Sequence, residues 1–434
     1  MSFKAAKSFL FSLEKFGMKM DLQNIKALMK YEGNPHERLK VVHVAGTNGK
    51  GSTCAMVSSI LTSMGYKIGL YTSPHIVSFT ERIKIDGEPI SEEEVEKLVE
   101  FFRPEIIKLR ATFFEATTAM MFKYFADSKV DYAVIETGLG GRLDSTNIVD
   151  PLISIITGIG FDHTEILGDT LEKIAFEKAG IIKPGRPAVV NVQPESLKEV
   201  FRTAGLQKGS QVFFVDENSL YSDAVMNIDD STFDSSVFGI AYPQVKIGLG
   251  GEHQIQNCLT ALSALHLLNE SGVQMDSKAI YAGLDRITNN TGHRGRLEII
   301  SRDPFVIVDV AHNPDGINAI MKSLAVLNGR KGILLFAAMR DKDVTSMLNS
   351  LRERFGTVIL TSLQSGRSMN VEELKKLSDN IKLSSQVFDN SSEALRAALT
   401  QIDNDSFLLI TGSHYLAGET MPLLENSILN LESL

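Results

Sequence analysis

The residues best equipped for chemistry are Ala45-Gly46-Thr47-Asn48-Gly49-Lys50-Gly51-Ser52-Thr53. An apolar, β-branched run from Val41 to Val44 precedes them, and Cys54 to Leu61 continues with a helical pattern. A strand, a glycine-rich turn and a helix N-terminus together make an anion site. Backbone N–H groups point inward, the helix dipole adds positive potential, and the lysine reaches the outer phosphates. The strict pattern G-x-x-x-x-G-K-[ST] fails twice here: Val44 stands where it has glycine, and Gly51 delays the hydroxyl to Ser52. The order of strand, turn, lysine, hydroxyl and helix still favours phosphate binding over a glycine turn with an incidental lysine.

Other candidates stand just past the predicted strands, because ligands of open parallel α/β sheets bind beyond the carboxyl ends of the strands. Ser73 comes after the run Lys67–Tyr71, Glu136 ends Asp131–Glu136, and His163 comes after Leu152–Ile156. Ser73 alone says little. Glu136 is placed to hold Mg²⁺, which takes hard oxygen ligands and bridges phosphates; the alternative is a surface carboxylate. His163, after Asp162, reads as a metal ligand, a base or a buried hydrogen-bonded histidine. Lys178, in Phe176-Glu177-Lys178-Ala179-Gly180, is on physical grounds alone a last-turn lysine favoured by the helix dipole. Further on, Asp309 and His312 stand at a strand end, in Val308-Asp309-Val310-Ala311-His312-Asn313-Pro314, which also reads as a plain helix start. Arg294 and Arg296 either meet phosphates or lie on a solvated linker.

These residues must be positioned by more than one core, since 434 residues imply two or three domains. The composition, 43% hydrophobic and 22% charged, is that of a globular protein, and a net charge of −9 argues against non-specific nucleic-acid binding. Cys54 and Cys258 both fall in helical patterns and read as core residues of a protein in a reducing compartment. Phe3, Ala6, Phe9, Leu10, Leu13 and Phe16 recur at helical spacing, predicting a docked amphipathic helix rather than a signal peptide. No stretch has the length of a membrane span, so a cytoplasmic protein is expected.

Strands and helices then alternate. Helices are predicted over 91–110, opened by a Ser91–Glu94 capping box, over 114–126 and over 170–179, with a strand over 187–192. Residues 211–247 lose helical period and read as an inserted or edge β segment. Helices over 252–270 and 276–287 lead to the polar, glycine-bearing stretch 289–295, a predicted domain boundary. Beyond it, strands near 305–310, 332–337, 357–360 and 407–410 alternate with helices near 315–326, 343–354, 371–378, 391–402 and 415–426. The expected fold is α/β: a P-loop, mostly parallel-sheet ATPase domain over 1–295, including the N-terminal helix, and a smaller Rossmann-like C-terminal domain over 296–434.

Gly46-Thr47-Asn48-Gly49-Lys50-Gly51-Ser52, Thr72-Ser73-Pro74-His75, the run Glu136 to Asn147, and Asp309-Val310-Ala311-His312-Asn313-Pro314 resemble folylpolyglutamate synthase, including its bifunctional dihydrofolate synthase members. The resemblance covers nearly the whole chain, up to Thr411-Gly412-Ser413 and Tyr415 to Glu419. Mur ligases share the Gly-Thr-Asn-Gly-Lys core, but usually place Thr or Ser where this chain has Gly51, and typically lack the Gly-Gly-Arg-Leu-Asp-Ser-Thr-Asn loop. The resemblance implies an ATP-dependent ligase, with a Mur-type central domain and a C-terminal glutamate ligase domain. Through an acyl phosphate it would add L-glutamate to folates, and also to dihydropteroate.

It further implies site residues. Gly46, Thr47, Asn48, Gly49, Lys50, Gly51 and Ser52 would hold phosphates. Ser73, Glu136 and His163 would bind two Mg²⁺ ions, joined by Lys178 if carbamylated. Asn257 would meet adenine, and Arg296, Asp309 and His312 would meet ATP. Phe113, Phe114, Glu115, Leu143, Asp144 and Ser145 would bind the pterin substrate. Lys50, Lys178 and His163 would be catalytic. His414 departs from the usual Gly-Ser-Leu-Tyr. The implied partners are small molecules alone, with no nucleic acid or membrane, and the chain would be a monomer. Two other readings compete: a Mur-type ligase acting on a cell-wall precursor, and a P-loop regulatory module that binds nucleotide and a protein without ligation. The second domain bearing Asp309 and His312 argues against the latter.

Overall fold

The structure is a computed structural model that describes residues 1–431 apart from Met18 and Gln193, with side chains to residue 426. It separates into two compact units. One comprises Met1–Ala224, Phe233–Ile247 and Ile255–His293, and the other Val225–Thr232, Gly248–Gln254 and Arg294–Leu434.

The first unit is built on eight strands: β1 (Val41–Ala45), β2 (Ile68–Tyr71), β3 (Ile83–Ile85), β4 (Glu88–Pro89), β5 (Tyr132–Glu136), β6 (Ile153–Ile156), β7 (Ala188–Val190) and β8 (Val212–Phe214). Their order is β4-β3-β2-β5-β1-β6-β7-β8. From β2 to β8 all neighbours run parallel, while β3 and β4 are antiparallel additions at one edge. β1 lies between β5 and β6. The chain fills one side of β1 before returning to fill the other, so a topological switch point falls at the carboxyl ends of β1, β5 and β6. The strands there are buried throughout, as their continuous apolar runs require.

The helix Lys50–Ser63 leaves the phosphate-type loop and is buried continuously from Gly51 to Leu61. Its small residues explain this: Gly51, Ser52, Ala55, Ser58 and Ser59 let neighbours approach from every side. Gly283, on the helix Ser277–Asp285, sits so close to the Ile60 backbone that a Cβ would clash. The N-terminal helix Phe3–Ser12 docks as expected, with Ala6 and Leu10 buried, but Leu13–Phe16 tightens into a 3₁₀ turn.

Three further strands, β9 (Ser219–Met226), β10 (Ser231–Val237) and β11 (Ile240–Ile247), form a separate sheet in the order β11-β10-β9. The expected β segment over 211–247 is therefore split, because β8 within it joins the main sheet. The helix Glu195–Lys208 has no counterpart among the elements expected from the sequence. The predicted Ser91–Glu94 box is half made: Ser91 Oγ accepts from Glu94 N–H, but the Glu94 carboxylate pairs with Lys97. Residues 289–291, expected in a boundary loop, complete the helix Ile287–Thr291, and the last of the divisions between the two units falls at His293/Arg294.

The second unit carries β12 (Glu298–Arg302), β13 (Phe305–Val308), β14 (Lys331–Phe336), β15 (Phe355–Thr361), β16 (Gln386–Phe388) and β17 (Ser406–Thr411), in the order β12-β13-β17-β14-β15-β16. Only β12 is antiparallel to its neighbour. β12 and β16 are partly exposed edge strands with no long apolar run, so apolar runs do not reveal them. Among the described residues no helix is long and apolar enough to cross a membrane.

Candidate active site

The loop after β1 is held from below by the end of β6. Thr47 N–H donates to Gly158 O (2.8 Å), and Thr157 Oγ1 donates to Asn48 O (2.8 Å). Thr47 Oγ1 donates to Gly160 O (3.0 Å). A Cβ on Gly46 would fall on Thr157 Oγ1, and one on Gly49 would fall on Asn257 Oδ1; Gly49 also has φ +88°. Both positions thus exclude side chains, and Asn257 is placed against the loop. Gly49→Ala is expected to raise the Kd for ADP at least about tenfold, read by calorimetry, because it meets both strain and a clash.

Two lysines converge on one carbonyl here. Lys50 Nζ donates to Gly46 O and Thr47 O (both 3.1 Å), and Lys178 Nζ donates to Gly46 O (2.7 Å). Lys178 does stand in the last turn of the helix Leu171–Ala179, as expected, but it is only 3% exposed, and its ammonium reaches the loop after β1 rather than solvent. Burial, aided by the Lys50 ammonium, pulls its pKa down to about 7. Glu136, only 4% exposed, is a buried carboxylate rather than a surface one. Its Oε1 lies 3.9 Å from Lys50 Nζ, and its Oε2 accepts from the Ser73 N–H (3.1 Å). Ser52 Oγ shares a hydrogen bond with His293 Nε2 (3.2 Å).

His163 begins the short helix Thr164–Leu167, with its Nε2 3.8 Å from Asp162 Oδ1. Its side chain is 35% exposed, which removes the buried-histidine reading. Among the described residues no three His, Cys, Asp or Glu side chains gather into a metal cage.

The segment Gly138–Asn147 fixes the helix end that carries Lys178. Arg142 N–H donates to Glu177 O (2.7 Å), and the Arg142 guanidinium pairs with the Glu177 carboxylate (2.8 Å). Asn147 Nδ2 donates to Arg142 O and Gly180 O (both 3.0 Å). Asp144 accepts from Leu139 N–H, Thr146 N–H and Thr146 Oγ1 (2.8, 3.0 and 2.6 Å). Thr146 Oγ1 in turn accepts from Nε2 of the buried His43 (2.8 Å). Burial holds His43 neutral, near pKa 3, with the nearby Lys183 adding to the effect. Asp144→Ala strips three donors of their acceptor and should destabilise the protein by about 3 kcal/mol in denaturant unfolding.

The residues expected at the pterin site lie on two segments packed together, the start of the helix Phe113–Asp127 and residues 143–145. The Phe113 ring stacks on Phe11 (5.4 Å) under the Arg82 guanidinium, and the Phe114 ring covers Gly138. Glu115 also has structural work: its Oε2 accepts from Thr112 N–H (2.7 Å) and Asn24 Nδ2 (3.1 Å). Asp144 and Ser145 are buried and Leu143 half-buried.

In the second unit, Asp309 is buried just past β13. Its carboxylate accepts from Leu297 N–H (2.9 Å) and Ala311 N–H (2.7 Å). Burial pushes its pKa up, while the nearby Arg296 guanidinium works the other way. His312 donates from Nδ1–H to Val310 O (3.0 Å), and its ring centroid lies 5.1 Å from that of His414. Asn313 does cap the helix Pro314–Ser323, through Gly316 N–H. Arg294 is held by Glu298 and Glu425 rather than lying loose on a linker.

Two family descriptions match this chain: the Mur ligase middle domain over residues 44–265, and the glutamate ligase domain of Mur ligase over 295–414. The dihydrofolate synthase/folylpolyglutamate synthase of Bacillus subtilis is 34% identical, over 96% of this chain and 98% of that protein. The chain belongs to the folylpolyglutamate synthase/dihydrofolate synthase family.

Solved folylpolyglutamate synthases share its fold. The Mycobacterium tuberculosis enzyme complexed with ADP superposes with a TM-score of 0.90 at 31% identity, covering 98% of this chain and 99% of that one. Escherichia coli FolC in complex with DHPP and ADP superposes with a TM-score of 0.86 at 29% identity, covering 98% of each chain. Thr157, Asp162 and His293 were not singled out from the sequence. Thr157 carried a usable signal, as the hydroxyl residue just past a strand end. His293 carried none, being 241 residues from Ser52.

Proposed function

We propose that this family member, an ATP-dependent ligase, joins L-glutamate to folates and also to dihydropteroate, giving dihydrofolate. The γ-phosphoryl group of ATP passes to a substrate carboxylate, forming an acyl phosphate and ADP. The glutamate amine attacks the acyl carbon, phosphate leaves, and the amine gives up a proton as the amide forms. Charge on phosphates and carboxylate must be neutralised where it develops. The observation that carries this reading is the convergence of Lys50 and Lys178 on Gly46 O, beside buried Glu136, at the switch point of the sheet. DHPP and ADP bound to the Escherichia coli relative support it.

We assign Gly46 to Ser52 to the phosphates, Asn257 to adenine, and Arg296, Asp309 and His312 to ATP. Phe113, Phe114, Glu115, Leu143, Asp144 and Ser145 are assigned to the pterin. Residues 1–295 would serve as the ATP-binding domain and 296–434 as the glutamate ligase domain. The donor set suits Mg²⁺: a buried carboxylate, a hydroxyl and an imidazole offer hard donors, and Mg²⁺ normally completes its shell with phosphate and water ligands. Ser73, Glu136 and His163 would hold it, with Lys178 as a carbamate at a second ion. When bound, Mg²⁺ neutralises phosphate charge.

Lys178 fits carbamylation because its pKa near 7 leaves much of the amine neutral at neutral pH. The nitrogen bonds to the carbon of CO₂ and sheds a proton, turning a cation into a carboxylate-like group. The protein would act as a cytoplasmic monomer.

ADP release with Mg-ATP and glutamate, compared across dihydropteroate, tetrahydrofolate and a UDP-muramoyl acceptor, tests the substrate class. Turnover with both pterins is expected. Turnover with the muramoyl acceptor alone would overturn the folate reading.

A further inference from the structure

The hydroxyl that this chain delays by one residue, at Ser52, does not stand alone. Ser52 is 2% exposed, and its Oγ meets His293 Nε2 at 3.2 Å. Several contacts fix His293 in that place. The helix Ile287–Thr291 lies along the helix Lys50–Ser63, where Asn290 Nδ2 donates to Ser59 Oγ (3.0 Å) and Ser63 Oγ (3.1 Å). Ser59 Oγ donates to Gly283 O (2.6 Å), closing the preceding helix onto the same surface. The helix ends at Gly292, in the left-handed region at φ 58°. There the buried Lys84 Nζ donates to both Thr291 O (2.8 Å) and Gly292 O (2.9 Å). An ammonium at a helix C-terminus satisfies carbonyls that otherwise lack partners. The next residue is His293, the last of the first unit.

We propose that His293 is a positioning residue for the Ser52 hydroxyl, orienting it for nucleotide binding at the loop after β1. A free serine hydroxyl samples three rotamers, and a hydrogen bond to a fixed imidazole selects one. Preorganised groups at a phosphate site bind without paying an ordering cost at the moment of binding. The inference rests on the ligase reading for its nucleotide, but it concerns a residue outside the loop.

A double-mutant cycle on ADP affinity tests it, using His293→Phe, Ser52→Ala and the pair. His293→Phe keeps a ring and removes only its nitrogens. Each single variant is expected to raise the Kd for ADP about tenfold, and the pair no more than either alone. His293→Gln, which offers a polar atom near the Nε2 position, should recover part of the loss. In turnover, the KM for ATP should rise while the KM for glutamate stays unchanged. Unaltered ADP affinity in His293→Phe overturns the proposal, as does a double variant whose loss is the product of the two single losses. If the unsubstituted chain binds no ADP at all, the ligase reading itself falls and this inference with it, a result distinct from additivity in a protein that binds.

Discussion

Lys178→Ala is expected to lower the ligation rate about 100- to 1,000-fold, the scale seen when one preorganised electrostatic group is removed from a reacting centre. Added formate or acetate should restore part of that rate. A buried amine that served only to hold Gly46 O would leave a different signature. Its loss would disturb the loop and weaken ADP binding, and small carboxylates would do nothing. A carbamate contributes negative oxygen, which a short acid can supply in the cavity left by the side chain. Lys178→Arg discriminates further: a guanidinium can still donate to Gly46 O (the lysine does so at 2.7 Å), but it cannot be carbamylated. Arginine is therefore expected to be as inactive as alanine. Near-full activity in either variant, without rescue, would show that the carbamate is not needed.

Glu136→Gln is the second large effect expected, again about 100- to 1,000-fold in kcat. The amide oxygen can still accept the Ser73 N–H (3.1 Å in the parent), so the loop 72–75 should stay in place. What is lost is a charge, in a site where burial magnifies it. The clearest measurement is ADP affinity with and without Mg²⁺. The parent should bind ADP more tightly with the metal, and the variant should show little difference. An undiminished response to Mg²⁺ in Glu136→Gln would move the metal to other ligands.

Much of the fold was readable because its signals are local. Apolar runs of four or five residues marked β1, β5, β6, β13, β14 and β17, since strands covered on both faces need no polar alternation. The helix after β1 was readable from its pattern and its position behind the loop, while its burial from Gly51 to Leu61 emerged only with the fold. The errors have physical causes too. Edge strands β12 and β16 are short and half-solvated, so nothing obliges them to be apolar. The stretch Thr288 to Thr291 looks like a loop by composition, yet Asn290 and Thr291 spend their polar groups on the neighbouring helix and on their own. Asp144 and Glu115 appeared as ligand groups, but each also binds backbone N–H groups, a duty invisible until the chain is folded.

Residue types and order alone settled the strand–loop–helix after β1, the glycines its loop requires, and the acidic residue at the end of β5. These come from backbone sterics and from where polar atoms stand relative to a strand end. Folding alone decided that Lys178 meets Gly46 O across 132 residues of chain, and that Ser52 meets His293 across 241. The character of Lys178 shows why. A lysine in water holds its proton at neutral pH, and only burial beside Lys50 brings it near 7. Desolvation belongs to the packed surroundings of a residue, and no local stretch of sequence contains them.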